Sequence, residues 1–186
     1  FSQLGLVRSK DKQRHTFEFN YIKMDNISLA GDLLLDKLVK VDAMPQEVQK
    51  FKLENGDFIF NTRNTPELVG KSTIFNIKKP ITFLFNNNIL RLRFKDGFMA
   101  EFINYYLHDK NGIKKLNSKK RGTTSVSAIY QGDLFDMKIP TPPLKIQKQI
   151  VAKLSAVQEY KSRLMEQKAK LKELFDSTLH KSMIQR

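Results

Sequence analysis

The sequence predicts an α+β fold: a compact domain of short strands with few helices over residues 1–143, followed by one long coiled-coil helix over residues 144–186. Three observations predict this architecture. Before Pro143, short β-branched and aromatic runs are interrupted by Gly, Asn and Asp, as in strands joined by tight turns. After Pro143 there is neither Gly nor Pro, and apolar residues recur every seven positions. Apolar residues make up 40% of the chain, with 14 phenylalanines, which is enough to bury a substantial core.

The first half of the chain is predicted to consist mainly of strands. Within residues 16–30, apolar residues alternate with polar ones at Phe17, Phe19 and Tyr21, which predicts a strand followed by an Asp-Asn turn. Residues 31–42 are compatible with either a strand or a helix. Asn55-Gly56-Asp57 separates two apolar runs, which predicts a hairpin or another tight turn. The runs "STIFNI" and "ITFLFNNNILRLRF" continue the strand pattern, and the second is interrupted by three asparagines.

One helix is predicted within the domain, between residues 97 and 112, because the apolar spacing there changes to three or four. The residues with this spacing are Phe98, Phe102, Tyr105 and Tyr106. Asn111-Gly112 is a suitable helix end. Residues 114–127 then form a predicted basic loop, and a short strand follows around Ala128–Ile129.

The C-terminal helix is predicted to need a second helix. Forty residues would extend about 60 Å, whereas a domain of this size is about 30 Å across. The predicted pairing surface consists of Ile150, Leu154, Val157, Leu164, Leu171, Leu174 and Phe175. Lys161 and Lys168 interrupt one side of it. An amphipathic helix lying on its own domain would give a similar pattern.

The charge of the chain favours a polyanionic partner, with nucleic acid first. The formal charge is +14, distributed as +8 before residue 144 and +6 after it. A basic protein whose charge serves only solubility is the alternative. There is no cysteine, so disulfides and cysteine zinc sites are excluded, and a reducing, cytoplasmic location is expected. No apolar run approaches the 20 or so residues of a membrane span, so no membrane association is expected.

No catalytic residue, metal site or cofactor is expected. The nearest carboxylate pairs are Glu54 with Asp57 and Asp133 with Asp136, and each pair lies beside a glycine in a predicted turn. The histidines have no partner at ligand spacing. The segment Thr141–Leu144, "TPPL", resembles the site motif of amino-methyltransferases, but it lacks the amide or carboxylate and the aromatic ring of that motif. We therefore expect no methylation by the chain itself.

Three basic segments are candidates for DNA contact. Lysine and arginine neutralise phosphates, hydroxyls reach phosphates or base edges, and arginine and asparagine pair with guanine and adenine in the major groove. The candidates are Lys10, Lys12 and Arg14; Arg63 and Asn64; and Lys119, Lys120, Arg121, Thr123, Thr124 and Ser125. Solvated loops with no ligand are the alternative for each segment.

Four stretches of the chain together resemble the specificity subunit of type I restriction-modification systems. They are "YIKMDNISLAGDL", "FKLENGDFIFNTRNTPELVGKSTIF", "FNNNILRLRF" and "GTTSVSAIYQGDLFDMKIPTPPLKIQKQIVAKL". The resemblance implies a non-catalytic subunit in which each target recognition domain reads one half of a split site in double-stranded DNA. It also implies antiparallel pairing of the long helices, which set the spacing and offer surfaces to methyltransferase subunits.

The sequence contains one such repeat, whereas the family's full subunit has two. A half-size subunit that pairs with a second copy and a fragment of a two-repeat subunit both remain open. Two further readings are a recognition domain from a single-chain restriction-methylation enzyme and a general basic protein that binds nucleic acid. The resemblance does not specify which bases are read, so the candidate contacts depend on residue chemistry alone.

Overall fold

The computed structural model describes residues 1–78 and 80–184. Within these residues, strands lie at β1 Ser2–Leu4, β2 Phe19–Ile22, β3 Val39–Val41, β4 Phe58–Asn61, β5 Arg63–Asn64, β6 Ser72–Ile74, β7 Phe83–Phe85, β8 Ile89–Leu92, β9 Arg121–Gly122 and β10 Ser127–Ala128. Five α-helices lie at α1 Pro45–Phe51, α2 Ala100–His108, α3 Lys110–Lys119, α4 Gln131–Phe135 and α5 Leu144–Ile184. The α+β architecture and the long C-terminal helix are confirmed. The last two residues of the predicted 144–186 segment lie outside the described residues.

The strands form three small sheets. The largest has the order β1-β8-β4-β6, the second β3-β2-β7 and the third β5-β10-β9. All pairings are antiparallel except β2 with β7. The ambiguous segment of residues 31–42 contains strand β3, which pairs with β2 in register Phe19↔Val41.

The central strands of the largest sheet, β4 and β8, are buried on both faces, which explains the continuous apolar run Phe58-Ile59-Phe60 in β4. Phe58 and Phe60 of β4 pack into a cluster with residues of α2, α3 and α4. Between them, Ile59 points to the opposite face and joins a second cluster with Phe85 and Ile89. This sheet therefore separates two core clusters, and a third cluster is formed by Leu6, Tyr21, Val41 and Leu84.

The Asn55-Gly56-Asp57 segment is a tight turn but not a hairpin. Gly56 has φ +90°, which favours glycine, and the apolar run before the turn ends helix α1 rather than a strand. The Asp57 carboxylate accepts a hydrogen bond from the backbone N–H of Glu54 at 2.8 Å and pairs with Arg93 at 2.5 Å. This carboxylate therefore has a structural role in the turn, as the sequence interpretation assumed.

The predicted end of the domain helix at Asn111-Gly112 is wrong, and so is the loop assignment of residues 114–119. Helix α2 ends at His108, and α3 begins after Asp109, whose carboxylate accepts the backbone N–H of Asn111. Gly112 lies inside α3, at a position where a Cβ would overlap the carbonyl oxygen of Tyr106. This glycine permits close packing of two helices instead of ending one.

Helix α5 is attached to the domain only through its first three turns. The Gln147 side chain is 1% exposed and makes three hydrogen bonds to backbone groups. Ile150 and Val151 pack against the first core cluster, and Ser155 Oγ lies 3.1 Å from the hydroxyl oxygen of Tyr105. From residue 156 to Met183 every side chain is exposed. Within the described residues, no helix is both long enough and apolar enough to cross a bilayer.

Candidate nucleic-acid interface

The third sheet brings two of the predicted basic segments together. Strands β9 and β10 form a hairpin, and β5 adds to the other edge of β10. The register places Arg63 opposite Ala128 and Ala128 opposite Arg121. Directly paired residues point to the same face of a sheet, so the two arginines flank the small buried Ala128 on one face. Both arginines are exposed.

Arg121 is held in a defined orientation. Its Nη2 donates to Asp133 Oδ1 at 2.6 Å, and its guanidinium carbon lies 6.0 Å from the centroid of the Tyr130 ring. The Arg121 side chain is 65% exposed, whereas that of Asp133 is only 12% exposed. The carboxylate therefore restrains a guanidinium whose remaining N–H groups face solvent. Such an arrangement prepares the donors for a planar acceptor pair.

The hairpin turn is built by Gly122 and Thr123. Gly122 has φ +148°, and a Cβ there would overlap the carbonyl oxygen of Val126. Thr123 Oγ1 accepts the backbone N–H of Ser125 at 3.3 Å and that of Val126 at 3.2 Å. The Thr123 hydroxyl thus stabilises the turn, while Thr124 and Ser125 are exposed at its tip.

The lysines that precede the hairpin differ in their surroundings. Lys119 is the last residue of α3, and Lys120 follows it. Lys120 Nζ donates to the carbonyl oxygen of Pro66 at 2.5 Å, and burial lowers the pKa of Lys120. Lys120 therefore ties the start of the hairpin to the segment that follows β5.

Arg63 and Asn64 also differ in their surroundings. Asn64 Nδ2 donates to Asn61 Oδ1 at 3.0 Å, and Asn64 Oδ1 accepts the backbone N–H of Thr65 at 2.9 Å. Both ends of this amide are engaged within the protein. Arg63 lines a shallow concavity of about 230 Å³ together with Asn87, Tyr130 and Gln131.

The segment with Lys10, Lys12 and Arg14 lies elsewhere in the fold. Lys10–Lys12 form a 3₁₀ turn, and the backbone N–H of Arg14 donates to Lys40 O beside β3. All three cations are exposed. They belong to the side of the domain that carries the β3-β2-β7 sheet and are not part of the hairpin.

The third sheet thus presents a basic, partly aromatic surface of the kind that contacts phosphates and base edges. A family model, the type I restriction modification DNA specificity domain, matches residues 5–173 of the chain. The chain belongs to this family. The predicted resemblance is thereby confirmed, and the chain is a DNA specificity domain.

Individual relatives agree with this assignment. The chain is 33% identical over 155 residues to the putative type I restriction enzyme MjaX specificity subunit of Methanocaldococcus jannaschii, a match that covers 81% of this chain and 35% of that protein. The fold is similar to the HsdS subunit of Thermoanaerobacter tengcongensis, with TM-score 0.58, 21% identity, and coverage of 86% of this chain and 35% of that one. The S subunit from M. genitalium gives TM-score 0.57, 17% identity, and coverage of 86% and 36%.

A chain from work on complex assembly and conformational transition of the type I R-M system gives TM-score 0.63 at 22% identity and covers 93% of this chain and 40% of that one. The chain therefore spans 35–40% of the length of these relatives.

Sequence reasoning missed three residues of the candidate surface. Tyr130, Gln131 and Asp133 follow the hairpin and enter helix α4, so they lie beside Arg121 or Arg63 only after folding. The sequence "YQGD", which follows a short predicted strand, could have indicated these residues. An aromatic ring and a carboxylate close to a basic run can orient a cationic side chain.

Proposed function

We propose that this chain is a DNA-recognition module with no catalytic chemistry of its own, which reads one half of a bipartite site in double-stranded DNA. The exposed arginines on one face of the hairpin sheet, Arg63 and Arg121, carry the proposal. A two-stranded ribbon fits the major groove, where arginine donates to guanine O6 and N7. The hydroxyls of Thr124 and Ser125 at the tip and the ammonium of Lys119 are placed to contact phosphates or sugar.

The overall charge supports the same conclusion. A net charge of +14 supplies a long-range attraction to duplex DNA that does not depend on its sequence. The Lys10–Arg14 segment contributes to this attraction from a different side of the domain, so we assign it to phosphate contact outside the half-site. The engaged side chains of Asn64, Lys120 and Thr123 support the shape of the site, and we assign direct reading of bases to the arginines.

The free part of α5 supports the assembly part of the proposal. Leu154, Val157, Leu164, Leu171, Leu174 and Phe175 are between 39% and 67% exposed. An apolar stripe of this length is stabilised by a second helix. We propose that it pairs antiparallel with the α5 of a second copy, or with an equivalent helix of a longer subunit, and that the paired helices dock methyltransferase subunits. Either arrangement places two recognition domains at opposite ends of the helices.

A selection from random duplex DNA tests the proposal. The chain, assembled with the methyltransferase subunits of its system, should enrich a split motif with two short half-sites. Arg121→Ala should weaken binding to that motif about 5- to 150-fold, since one bidentate contact is worth about 1–3 kcal/mol. Lys37→Ala is the matched control, because Lys37 is exposed in the turn before β3, outside the hairpin and α5, and this substitution removes the same charge.

Asp133→Asn separates base reading from general attraction. The variant keeps Arg121 but loosens its orientation and removes a negative charge, so discrimination between motif and random DNA should fall while affinity for random DNA does not. Equal affinity for all sequences at moderate salt, or equal effects of Arg121→Ala and Lys37→Ala, would contradict the proposal.

A further inference from the structure

The domain has an apolar groove that the reading of DNA does not use. It has a volume of about 750 Å³ and runs between the end of β8, the start of α2, helix α4 and residues 137–141. Its lining includes Phe94, Phe98, Ile103, Phe135 and Ile139. Phe98 is 45% exposed and Phe135 is 55% exposed. On an ordinary protein surface, exposed apolar residues are scattered singly. Two half-exposed aromatic rings at one groove therefore form an unusually apolar patch.

The charged residues that line this groove are all basic: Arg93, Lys95 and Lys138. Arg93 is neutralised by Asp57 and Glu54. Lys95 and Lys138 form no ion pair within the part of the chain that the structure describes. The groove therefore combines an apolar floor with a rim of positive charge.

Charge complementarity selects the occupant of the groove. A second copy carries the same net charge of +14, and its α5 segment is also basic. Duplex DNA presents phosphates and sugars at its surface and supplies no apolar side chains. A protein segment with apolar residues at helical spacing and acidic residues beside them matches both the floor and the rim.

We propose that this groove docks an acidic amphipathic segment of a protein partner, separately from the helix contact described above. Helix α4 lies between the groove and the hairpin: Phe135 lines the groove, and Asp133, two residues earlier, holds Arg121. A segment bound in the groove thus contacts the element that orients the base-reading arginine. The groove would bring the partner and the DNA to two sides of one short helix.

A labelled model peptide tests this proposal on the full chain by fluorescence anisotropy. The probe is a 16-residue helix with Phe and Leu at positions i, i+4 and i+7 and Glu beside them; the control peptide replaces every Glu with Lys. The acidic peptide should bind and the basic one should not. Phe135→Glu should weaken binding about tenfold or more, because it removes a large apolar contact and adds a repelling charge.

Leu29→Glu is the matched control, because Leu29 is 65% exposed, lies outside the groove and gains the same charge. Lys95→Glu with Lys138→Glu should shift the preference toward the basic peptide, and this readout does not depend on Phe135. Arg121→Ala should leave peptide binding unchanged, which separates groove binding from attraction to the basic hairpin.

Equal binding of the two peptides, equal effects of Phe135→Glu and Leu29→Glu, or loss of peptide binding in Arg121→Ala would overturn the groove as a docking site. Self-association that Phe135→Glu abolishes would also overturn it, because the occupant would then be a second copy. DNA selection with Phe135→Glu should still enrich the same motif, so a failure here is distinguishable from a failure of the proposed function.

Discussion

Gln147 is the side chain that joins the long helix to the recognition domain. Its Oε1 accepts the backbone N–H of Met99 at 2.9 Å. Its Nε2 donates to Gly97 O at 2.9 Å and to Pro142 O at 2.8 Å. One amide therefore connects the turn before α2, the start of α2 and the entrance of α5, while it is almost completely removed from water.

Gln147→Ala should destabilise the protein by about 2–4 kcal/mol, since each of the three hydrogen bonds contributes about 0.5–1.5 kcal/mol and buried partners are left unpaired. Gln149→Ala makes the same change two residues later on an exposed position of the same helix. It should change the free energy of unfolding by less than about 0.5 kcal/mol. The difference between the two variants isolates the junction from helix propensity.

Urea unfolding followed by circular dichroism and by tyrosine fluorescence measures both variants. The Gln147→Ala midpoint should fall well below that of Gln149→Ala with a similar slope, because the area exposed on unfolding is nearly unchanged. If the two variants unfold with free energies within 0.5 kcal/mol of each other, about the error of such a comparison, the junction does not depend on this amide and the reasoning is refuted.

Three further perturbations test other parts of the molecule. Leu164→Glu should convert a helix-paired dimer to monomers, as measured by light scattering. Ser162→Glu, on the opposite face of α5, should leave the dimer intact. If the two variants have the same mass in solution, the proposed apolar stripe is contradicted. The hydrogen bond from Arg8 lowers the pKa of Glu47, so this pair stabilises the fold above the usual glutamate range and its contribution is lost as pH falls through the lowered pKa. Glu47→Gln should therefore cost about 1 kcal/mol in urea unfolding at pH 7 and progressively less as the pH falls through the lowered pKa, and a deficit that does not shrink in acid would exclude the ionic origin. Gly122→Ala should weaken DNA binding and lower the thermal midpoint, because the added Cβ would overlap the carbonyl oxygen of Val126 at a backbone conformation that favours glycine. Unchanged DNA binding would contradict the proposed role of this turn.

The strands and the long helix were predictable because their apolar patterns are local. "FIF" and "ILRL" read as buried strands since both faces of the central sheet are covered. The boundary between α2 and α3 was not predictable from Asn111-Gly112. This dipeptide is suitable for ending a helix. Only the packing of α3 against α2 shows the role of Gly112, because a Cβ at this position would overlap the carbonyl oxygen of Tyr106.

The candidate contacts were predictable as residue types but not as available groups. The sequence predicted DNA contact for Asn64, Lys120 and Thr123 as well as for the two arginines, Arg63 and Arg121. All five side chains have suitable hydrogen-bond donors or acceptors. Folding engages the first three within the protein, through partners at Asn61, Pro66 and Val126 that no periodicity indicates. Hydrogen-bonding capacity is a property of a residue type, whereas its availability depends on tertiary contacts.

The division of α5 into an attached and a free part has a consequence for how DNA spacing is set. The hydrogen bonds of Gln147 and the packing of Ile150 fix the helix axis relative to the domain, and hence relative to the hairpin. The free part, residues 156–184, extends about 44 Å at 1.5 Å per residue. If two such helices pair, the separation of the hairpins is determined by rigid elements and by the register of the stripe, with no flexible linker between them. A fixed separation favours two half-sites at one spacing, because binding at any other spacing would require the junction at Gln147 to break or the DNA to bend.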